Sequence, residues 1–131
     1  MKLINRNVDY AARALIFMAR ANKPTVSVTQ MQEAVNVARP FLRKILQKLH
    51  RTGILQAVKG KGGGFALART PENIRLSDLV AALQGPLKIS ECVFGKKVCQ
   101  DHDACLLRHR IEAIEARMLL DIEGITIQDL V

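Results

Sequence analysis

The cysteines are the residues of this chain whose type and spacing best suit chemistry. All three, Cys92, Cys99 and Cys105, fall within fourteen consecutive residues of a polar, turn-rich stretch. A cysteine that only packs is usually a small buried hydrophobe in an apolar segment. Thiolates gathered in a hydrophilic loop are instead good ligands for soft metal centres such as iron–sulfur clusters and zinc. Because the count is odd, a self-contained disulfide framework is disfavoured, and the stretch predicts a thiolate-ligated centre.

Two other roles for the cysteines stay open at this point. A zinc site would take its fourth ligand from His102 or His109, but the chain lacks the cysteine pair, about two to four residues apart, that structural zinc sites usually contain. A thiol switch without metal would need an accessible, activated cysteine. Lys96 and Lys97 are suitably placed to favour the thiolate of Cys99.

The positive charge of the chain is concentrated in one segment. The net charge is +8, and between Ala34 and Pro71 there are eight basic residues and no acidic ones, whereas the remainder holds twelve of each. A surface built only for solubility mixes the two signs, so the block predicts a polyanionic partner, namely nucleic acid. The eight residues are Arg39, Arg43, Lys44, Lys48, Arg51, Lys59, Lys61 and Arg69.

Apolar residues at helical spacing predict three helices in the first half of the chain. The first spans 8–21, the second opens at a capping box formed by Ser27–Gln30, and the third runs from 38 or 39 to Gly53. Two helices joined by a short turn, the second of them basic, are typical of a helix-turn-helix. The predicted buried face of the third helix consists of Phe41, Leu42, Ile45, Leu46 and Leu49.

A β-hairpin is predicted directly after these helices. Residues 54–58 and 65–67 read as strands, and the glycine-rich segment 59–64 reads as the turn between them. A glycine-rich turn can also cradle a nucleotide phosphate, but this one lacks the Gly-Lys-Ser/Thr ending and is not followed by a helix. The hairpin is therefore interpreted as the wing of a winged helix, with Lys59 and Lys61 supplying charge at its tip.

The second half of the chain predicts a short helix over 78–83, capped by Ser77, and a long helix from about Ala104. Operators read by helix-turn-helix proteins usually present two half-sites ~34 Å apart, which a two-fold dimer matches. We therefore expect the apolar stripe of the long helix to pair two copies of the chain. The stripe consists of Leu107, Ile111, Ile114 and Met118.

The predicted DNA contacts follow from side-chain chemistry. Arg39 and Arg43 lie one turn apart and can pair with guanine in the major groove, while Lys48 and Arg51 suit phosphates. The wing is expected to add phosphate or minor-groove contacts. The full predicted set is Arg39, Pro40, Arg43, Lys44, Lys48, Arg51, Lys59, Lys61, Gly62 and Gly63.

In this order, the segments resemble the Rrf2 family of bacterial winged-helix iron–sulfur transcription regulators, which includes IscR-like and NsrR-like proteins. The resemblance runs essentially from end to end. It is carried by the segments 9–19, 37–46, 59–68 and 125–131 together with the three spaced cysteines.

The resemblance implies that Cys92, Cys99 and Cys105 ligate an iron–sulfur cluster, either 2Fe–2S or 4Fe–4S. One branch of the family places a histidine three residues after the last cysteine, where this chain has Arg108. Another branch can use an aspartate near the start of the first helix, donated by the other subunit, and Asp9 occupies that position. An aspartate is also favoured there by the helix dipole alone. The resemblance nevertheless points to Asp9 as the fourth ligand.

These observations predict a mainly α protein with a winged helix-turn-helix and a long C-terminal dimerisation helix. The expected divisions are a DNA-binding domain over 1–86, a cysteine loop that binds the cluster over 87–105, and a dimerisation helix with its tail over 106–131. No apolar run approaches the ~18 residues of a membrane span, and the first residues do not resemble a signal peptide. We therefore expect a cytoplasmic protein.

The expected function is that of a transcriptional regulator, such as a repressor, whose operator affinity depends on an iron–sulfur cluster that senses nitric oxide, iron supply or redox state. Its expected partners are double-stranded operator DNA and a second copy of the chain, with no membrane and no small-molecule substrate. No nucleophile–base pair or second cofactor motif indicates an enzyme. The alternatives are a metal-free regulator acting by thiol oxidation or partner binding, and an electron-transfer protein, in which the basic block would have no role.

Overall fold

The structure is a computed structural model that describes residues 3–88 and 104–131. Three of the candidate metal ligands, Cys92, Cys99 and His102, lie outside the described residues. The helices are α1 (Arg6–Ala21), α2 (Val28–Val35), α3 (Arg39–Arg51), α4 (Leu76–Leu83), α5 (Leu106–Glu123) and α6 (Ile127–Leu130). The strands are β1 (Leu55–Val58) and β2 (Gly64–Leu67), and a short 3-10 helix spans Pro71–Asn73.

Helix α1 forms the centre of the core. The Asn5 side chain caps it by accepting a hydrogen bond from the Val8 amide at 3.0 Å, and the left-handed Asn22 ends it. One face of the helix is apolar and fully buried, so it supplies packing rather than chemistry. The buried residues of that face are Val8, Ala11, Ala14, Leu15 and Met18.

The helix-turn-helix is confirmed, and its turn depends on local capping. Ser27 Oγ accepts a hydrogen bond from the Gln30 amide at 3.2 Å, and Gln30 Oε1 accepts one from the Ser27 amide at 3.0 Å. These reciprocal bonds are the capping box expected from the sequence, and they fix where α2 begins. Asn36, in the left-handed conformation, ends α2 and redirects the chain into α3.

The buried face of α3 differs from the prediction at one residue. Leu42, Ile45, Leu46 and Leu49 are buried as expected. Phe41 is 36% exposed and packs edge-on against the ring of Tyr10, with the ring centres 5.8 Å apart. The prediction that Phe41 is buried is wrong because it lies at the edge of the apolar stripe, against Tyr10 of α1 and partly open to solvent.

The hairpin is fixed to the helix-turn-helix by backbone hydrogen bonds. β1 and β2 pair antiparallel, from Leu55 opposite Leu67 to Val58 opposite Gly64. Val26, just before α2, exchanges two hydrogen bonds of 2.9 Å with Phe65. The wing is therefore attached to the segment that starts α2 as well as to the end of α3.

The last described segment returns to the first half of the chain. The Leu76 amide donates to the Ile125 carbonyl, and the Ile127 amide donates to the Ile74 carbonyl, both at 2.8 Å. Ile122 and Ile127 are buried in the same apolar cluster as α1. The end of α5 and the whole of α6 therefore complete the core that supports the winged helix.

Helix α4 begins at Leu76, so the prediction that Ser77 caps it is wrong. The Asp78 carboxylate accepts a hydrogen bond from the Arg75 amide at 2.9 Å, which makes Arg75 the residue before the first turn. Asp78 is the third residue of the helix, and its side chain reaches back to the amide of the capping residue as in the second half of a capping box.

The predicted fold class is confirmed, since residues 3–88 and 104–131 are mainly helical and contain one two-stranded sheet and a long helix near the end. No helix in residues 3–88 or 104–131 is long and apolar enough to cross a membrane.

Candidate nucleic-acid interface and metal centre

Helix α3 and the wing enclose an open groove of about 550 Å³. Its floor is formed by the wing strands and Phe65, and its third side is the beginning of α2. The side chains and backbone that line it come from Ser27, Val28, Thr29, Arg39, Arg43, Gln47, His50, Ala57, Val58, Lys59, Gly60, Gly63, Gly64 and Phe65. A groove bordered by a helix and a hairpin can receive one strand of a duplex.

One face of α3 supplies the groove wall. Successive residues of an α-helix are rotated by about 100°, so positions four apart remain close to the same face. Arg39, Arg43, Gln47 and His50 all line the groove, and the buried leucines of α3 lie on the other side. The amphipathic pattern that buries one face of α3 therefore also aims these four side chains at the wing.

Two of these four side chains are held by the protein. Arg39 Nη1 donates a hydrogen bond to Thr29 Oγ1 at 3.2 Å, which links α3 to the first turn of α2. His50 Nδ1 lies 3.1 Å from the Leu55 carbonyl oxygen. A carbonyl oxygen can only accept, so in this contact Nδ1 carries the hydrogen and donates it. The side chains at the two ends of the groove wall, Arg39 and His50, are therefore oriented by hydrogen bonds within the protein.

The charge in the groove has one sign. Its charged residues are Arg39, Arg43 and Lys59, and within residues 3–88 and 104–131 no carboxylate lines it. Cations on both α3 and the wing would attract a polyanion to the space between them and release counterions when it binds. The groove therefore has the electrostatics of a DNA-binding surface.

The predicted DNA-contact residues divide into two groups in the structure. Arg39, Arg43, Lys59 and Gly63 line the groove. The others lie beside it: Pro40, Lys44 and Arg51 are exposed on α3, Lys48 is half-buried there, and Lys61 and Gly62 form the exposed tip of the wing.

Sequence reasoning missed several groove residues, among them Thr29, Gln47 and His50. Gln47 and His50 could have been found, because a rotation of about 100° per residue puts them on the face of Arg39 and Arg43. A search for charged residues passed over them, since the amide is neutral and histidine is not counted as basic. Thr29 could not be found, because its approach to Arg39 depends on how α2 packs on α3.

Two of the four proposed metal ligands lie in the described residues. Cys105 immediately precedes α5 and is half-buried. Asp9 lies in the first turn of α1, its side chain is 50% exposed, and its carboxylate pairs with Arg13 at 2.9 Å. Both carry accessible donor atoms of the kind that iron accepts, so they fit the proposed centre.

The structure also describes the residues that follow Cys105. Arg108 stands where one branch of the family has a histidine, and its Nη1 donates to Glu112 Oε1 at 2.8 Å on the next turn of α5. A guanidinium carries no lone pair to donate to a metal, so Arg108 cannot take the role of that histidine. His109 is exposed on α5. Within residues 3–88 and 104–131, no three histidine, cysteine, aspartate or glutamate residues cluster as a metal site.

Comparison with known proteins decides the family. The sequence profile of Rrf2, described as an iron-dependent transcriptional regulator, matches residues 4–131. The chain belongs to the Rrf2 family. It is 30% identical over 133 residues to the transcriptional regulator NsrR of Bacillus subtilis, with 100% of this chain and 90% of NsrR covered. It is 28% identical over 131 residues to a putative HTH-type transcriptional regulator of Aquifex aeolicus, with 98% and 91% covered.

Solved structures show the same Rrf2 fold. IscR of T. potens superposes with a TM-score of 0.76 at 23% identity and covers 99% of this chain and 85% of its own. CymR, the global cysteine regulator of B. subtilis, also superposes with a TM-score of 0.76, at 20% identity, and covers 99% and 96%. The predictions of family and fold are confirmed, and the chain is a transcriptional regulator of the Rrf2 type.

The long helix of this Rrf2 chain carries an apolar surface that its own described core leaves open. In the predicted stripe, Leu107 is 71% exposed and Ile114 39% exposed. Leu106 and Leu120, which were not predicted to belong to it, are 79% and 66% exposed. Of all the residues in α5, only Ile122 is buried against the rest of the described chain. Large apolar side chains at this spacing are suited to pairing with another helix.

Proposed function

We propose that the protein is a homodimeric operator-binding regulator whose DNA affinity depends on an iron–sulfur cluster. The proposed ligands are Cys92, Cys99 and Cys105 of one subunit and Asp9 of the partner subunit. The observation that carries the DNA-binding part is the groove between α3 and the wing, in which every charged side chain of the described residues is cationic. We further propose that residues 1–86 bind DNA, 87–105 hold the cluster and 106–131 form the dimer.

Three observations support the cluster. The family is described as iron-dependent, and the chain retains three cysteines in one short stretch. Cys105 lies half-buried at the start of α5, within reach of solvent. When bound, a cluster supplies an iron centre whose ligands can exchange and whose charge can change. The other parts of the proposed switch, namely the winged helix and α5, are formed by residues of the chain itself.

The position of Cys105 suggests how binding of the cluster would change the affinity for DNA. Residue 105 begins the helix whose apolar stripe is proposed to pair the subunits, and Asp9 lies on α1, which packs against the core of the winged helix. Holding both residues in one site would fix α5 of one subunit relative to the winged helix of the other. Releasing them would let the two α3 helices change their separation, and half-sites ~34 Å apart would no longer be matched.

Anaerobic purification followed by absorption and electron paramagnetic resonance spectra, with iron and sulfide analysis, tests the proposal. We expect absorbance above 400 nm, about stoichiometric iron and sulfide, and operator affinities that differ between the cluster-bound and cluster-free protein. A colourless protein whose DNA affinity follows thiol oxidation would instead support the metal-free alternative. A coloured protein that heparin does not retain, with no salt-dependent DNA binding, would support electron transfer.

Replacing Arg39 or Arg43 with alanine is expected to reduce base discrimination as well as affinity. Each arginine can bind guanine through two hydrogen bonds, worth ~1–3 kcal/mol of discrimination. The measurement is the dissociation constant for an operator series with single base changes, at several salt concentrations. Lys48→Ala is the comparison, and it should weaken all sequences similarly and lower the salt dependence. If the arginine variants lose affinity equally for all operator sequences, Arg39 and Arg43 contact phosphates rather than bases.

Replacing Asp9 with alanine is expected to shorten the lifetime of the cluster while leaving the fold and the dimer intact. The fold survives because the exposed Asp9–Arg13 pair is worth only ~0.3–0.5 kcal/mol. The measurement is the decay of visible absorbance in air or with a chelator, followed by operator binding. Variants His102→Ala and His109→Ala are the controls. If the Asp9 variant keeps the cluster lifetime and operator binding of the wild type while a histidine variant loses its cluster, the fourth ligand is that histidine.

A further inference from the structure

One ridge of α3 combines three cations with a single neutral residue. Arg39, Arg43, Gln47 and Arg51 follow one another at intervals of four, so their side chains form a continuous row along the helix surface. Gln47 stands between two arginines in this row. A residue that only bound phosphate at this place would gain from positive charge, which glutamine lacks. The neutral amide of Gln47 therefore indicates a role other than phosphate binding.

We propose that Gln47 is a specificity-determining residue that reads an adenine in each operator half-site. This inference rests on the proposed binding of α3 in the major groove and goes beyond it by naming the base. The side-chain amide of glutamine offers one acceptor and one donor, which match the N6 donor and N7 acceptor of adenine. Guanine, cytosine and thymine do not present that pair on a single base edge in the major groove.

The surroundings of Gln47 leave its amide available for this contact. The side chain is exposed and lines the groove between α3 and the wing. Within the described part of the chain it forms no side-chain hydrogen bond, whereas Arg39 is bonded to Thr29 and His50 to the Leu55 carbonyl. Its neighbours on the groove wall are thus oriented by the protein, and the amide between them keeps both its donor and its acceptor for a ligand.

The spacing from Arg43 predicts where the adenine lies. Four residues of helix advance about 6 Å, and successive base pairs are stacked ~3.4 Å apart. With α3 lying along the major groove, Gln47 reaches a base about two steps from the base read by Arg43. Each half-site should therefore contain an adenine at a fixed short distance from a guanine.

The test is selection of preferred DNA sequences from a random pool, followed by dissociation constants for single-base variants of the selected operator. The comparison is between the wild type and Gln47→Met, which removes the amide but keeps the length and a good helix-forming residue. We expect the wild type to prefer adenine at one position of each half-site by ~5- to 150-fold. We expect Gln47→Met to lose that preference while its salt dependence stays unchanged.

Two further variants test whether the adenine preference depends on the position of the glutamine and on its amide group. Gln128→Met changes an exposed glutamine on α6, outside the groove lining, and should retain the complete sequence preference. Gln47→Glu offers only acceptors and should shift the preference at the same position from adenine to cytosine, whose N4 group donates. If Gln47→Met keeps the adenine preference, or weakens all sequences equally, the role of Gln47 is refuted while operator binding stands. If the wild type selects no sequence, operator binding itself fails.

Discussion

Replacing Cys105 with alanine is expected to abolish cluster binding and leave a colourless, folded protein. Iron–sulfur clusters are normally held by four protein ligands, and the alanine variant would keep only two thiolates. The fold should survive because Cys105 is half-buried and its side chain makes no capping hydrogen bond to α5. Alanine at this position therefore removes a metal ligand without removing a cap or opening a core cavity.

The measurements for Cys105→Ala are iron content, visible absorbance after anaerobic purification and the midpoint of thermal unfolding. We expect iron to fall from about stoichiometric to near zero and the unfolding of the cluster-free protein to be unchanged. His109→Ala, four residues along the same helix, is the matched control and should keep its colour. A Cys105→Ala protein with the iron content and spectrum of the wild type would contradict the proposed ligand set.

Replacing Gly64 with alanine is expected to loosen the wing and weaken DNA binding. A Cβ atom at Gly64 would overlap the carbonyl oxygen of Val26 and lie 2.8 Å from the Cα of Ser27, both of which are backbone atoms. Backbone cannot move aside as a flexible side chain does, so the two hydrogen bonds between Val26 and Phe65 must stretch or break. We expect a loss of ~1–3 kcal/mol in the free energy of unfolding.

DNA binding should be weakened together with stability in the Gly64 variant. A displaced wing would carry Lys59 and Lys61 away from the phosphates, so we expect affinity to fall about tenfold or more and the salt dependence to decrease by about two phosphate contacts. Gly62→Asn is the control for stability, because Gly62 has open space around it and asparagine tolerates its positive φ of 77°. Equal affinity in the Gly64→Ala protein and the wild type would show that wing position does not matter for binding.

The order of the elements was predictable from the sequence because each one carries a local signal. Ser27 and Gln30 form a reciprocal cap within one turn, and the glycine-rich segment 59–64 can close only a tight turn. Phe41 was misplaced because its burial depends on which neighbour covers the edge of the stripe. Ser77 was misassigned because Asp78, by accepting from the amide of Arg75, sets the start of α4 two residues earlier than a Ser77 cap would.

The candidate site was less predictable than the fold. The charge density of the sequence pointed to eight basic residues, of which Arg39, Arg43 and Lys59 line the groove. The contribution of Thr29 requires knowing how two helices pack, which is a tertiary property. Asp9 was assigned by family resemblance, and its pairing with Arg13 gives no sign of a metal role. The ligand set stays a prediction.

The return of Ile127 to the core beside α1 also sets an order of events during synthesis. Val8 and Ile127 belong to one buried cluster although almost the entire described chain separates them in sequence. A nascent chain emerges from the ribosome from its N-terminal end, so α1, the helix-turn-helix and the wing are made before residue 127 arrives to complete the core that they share.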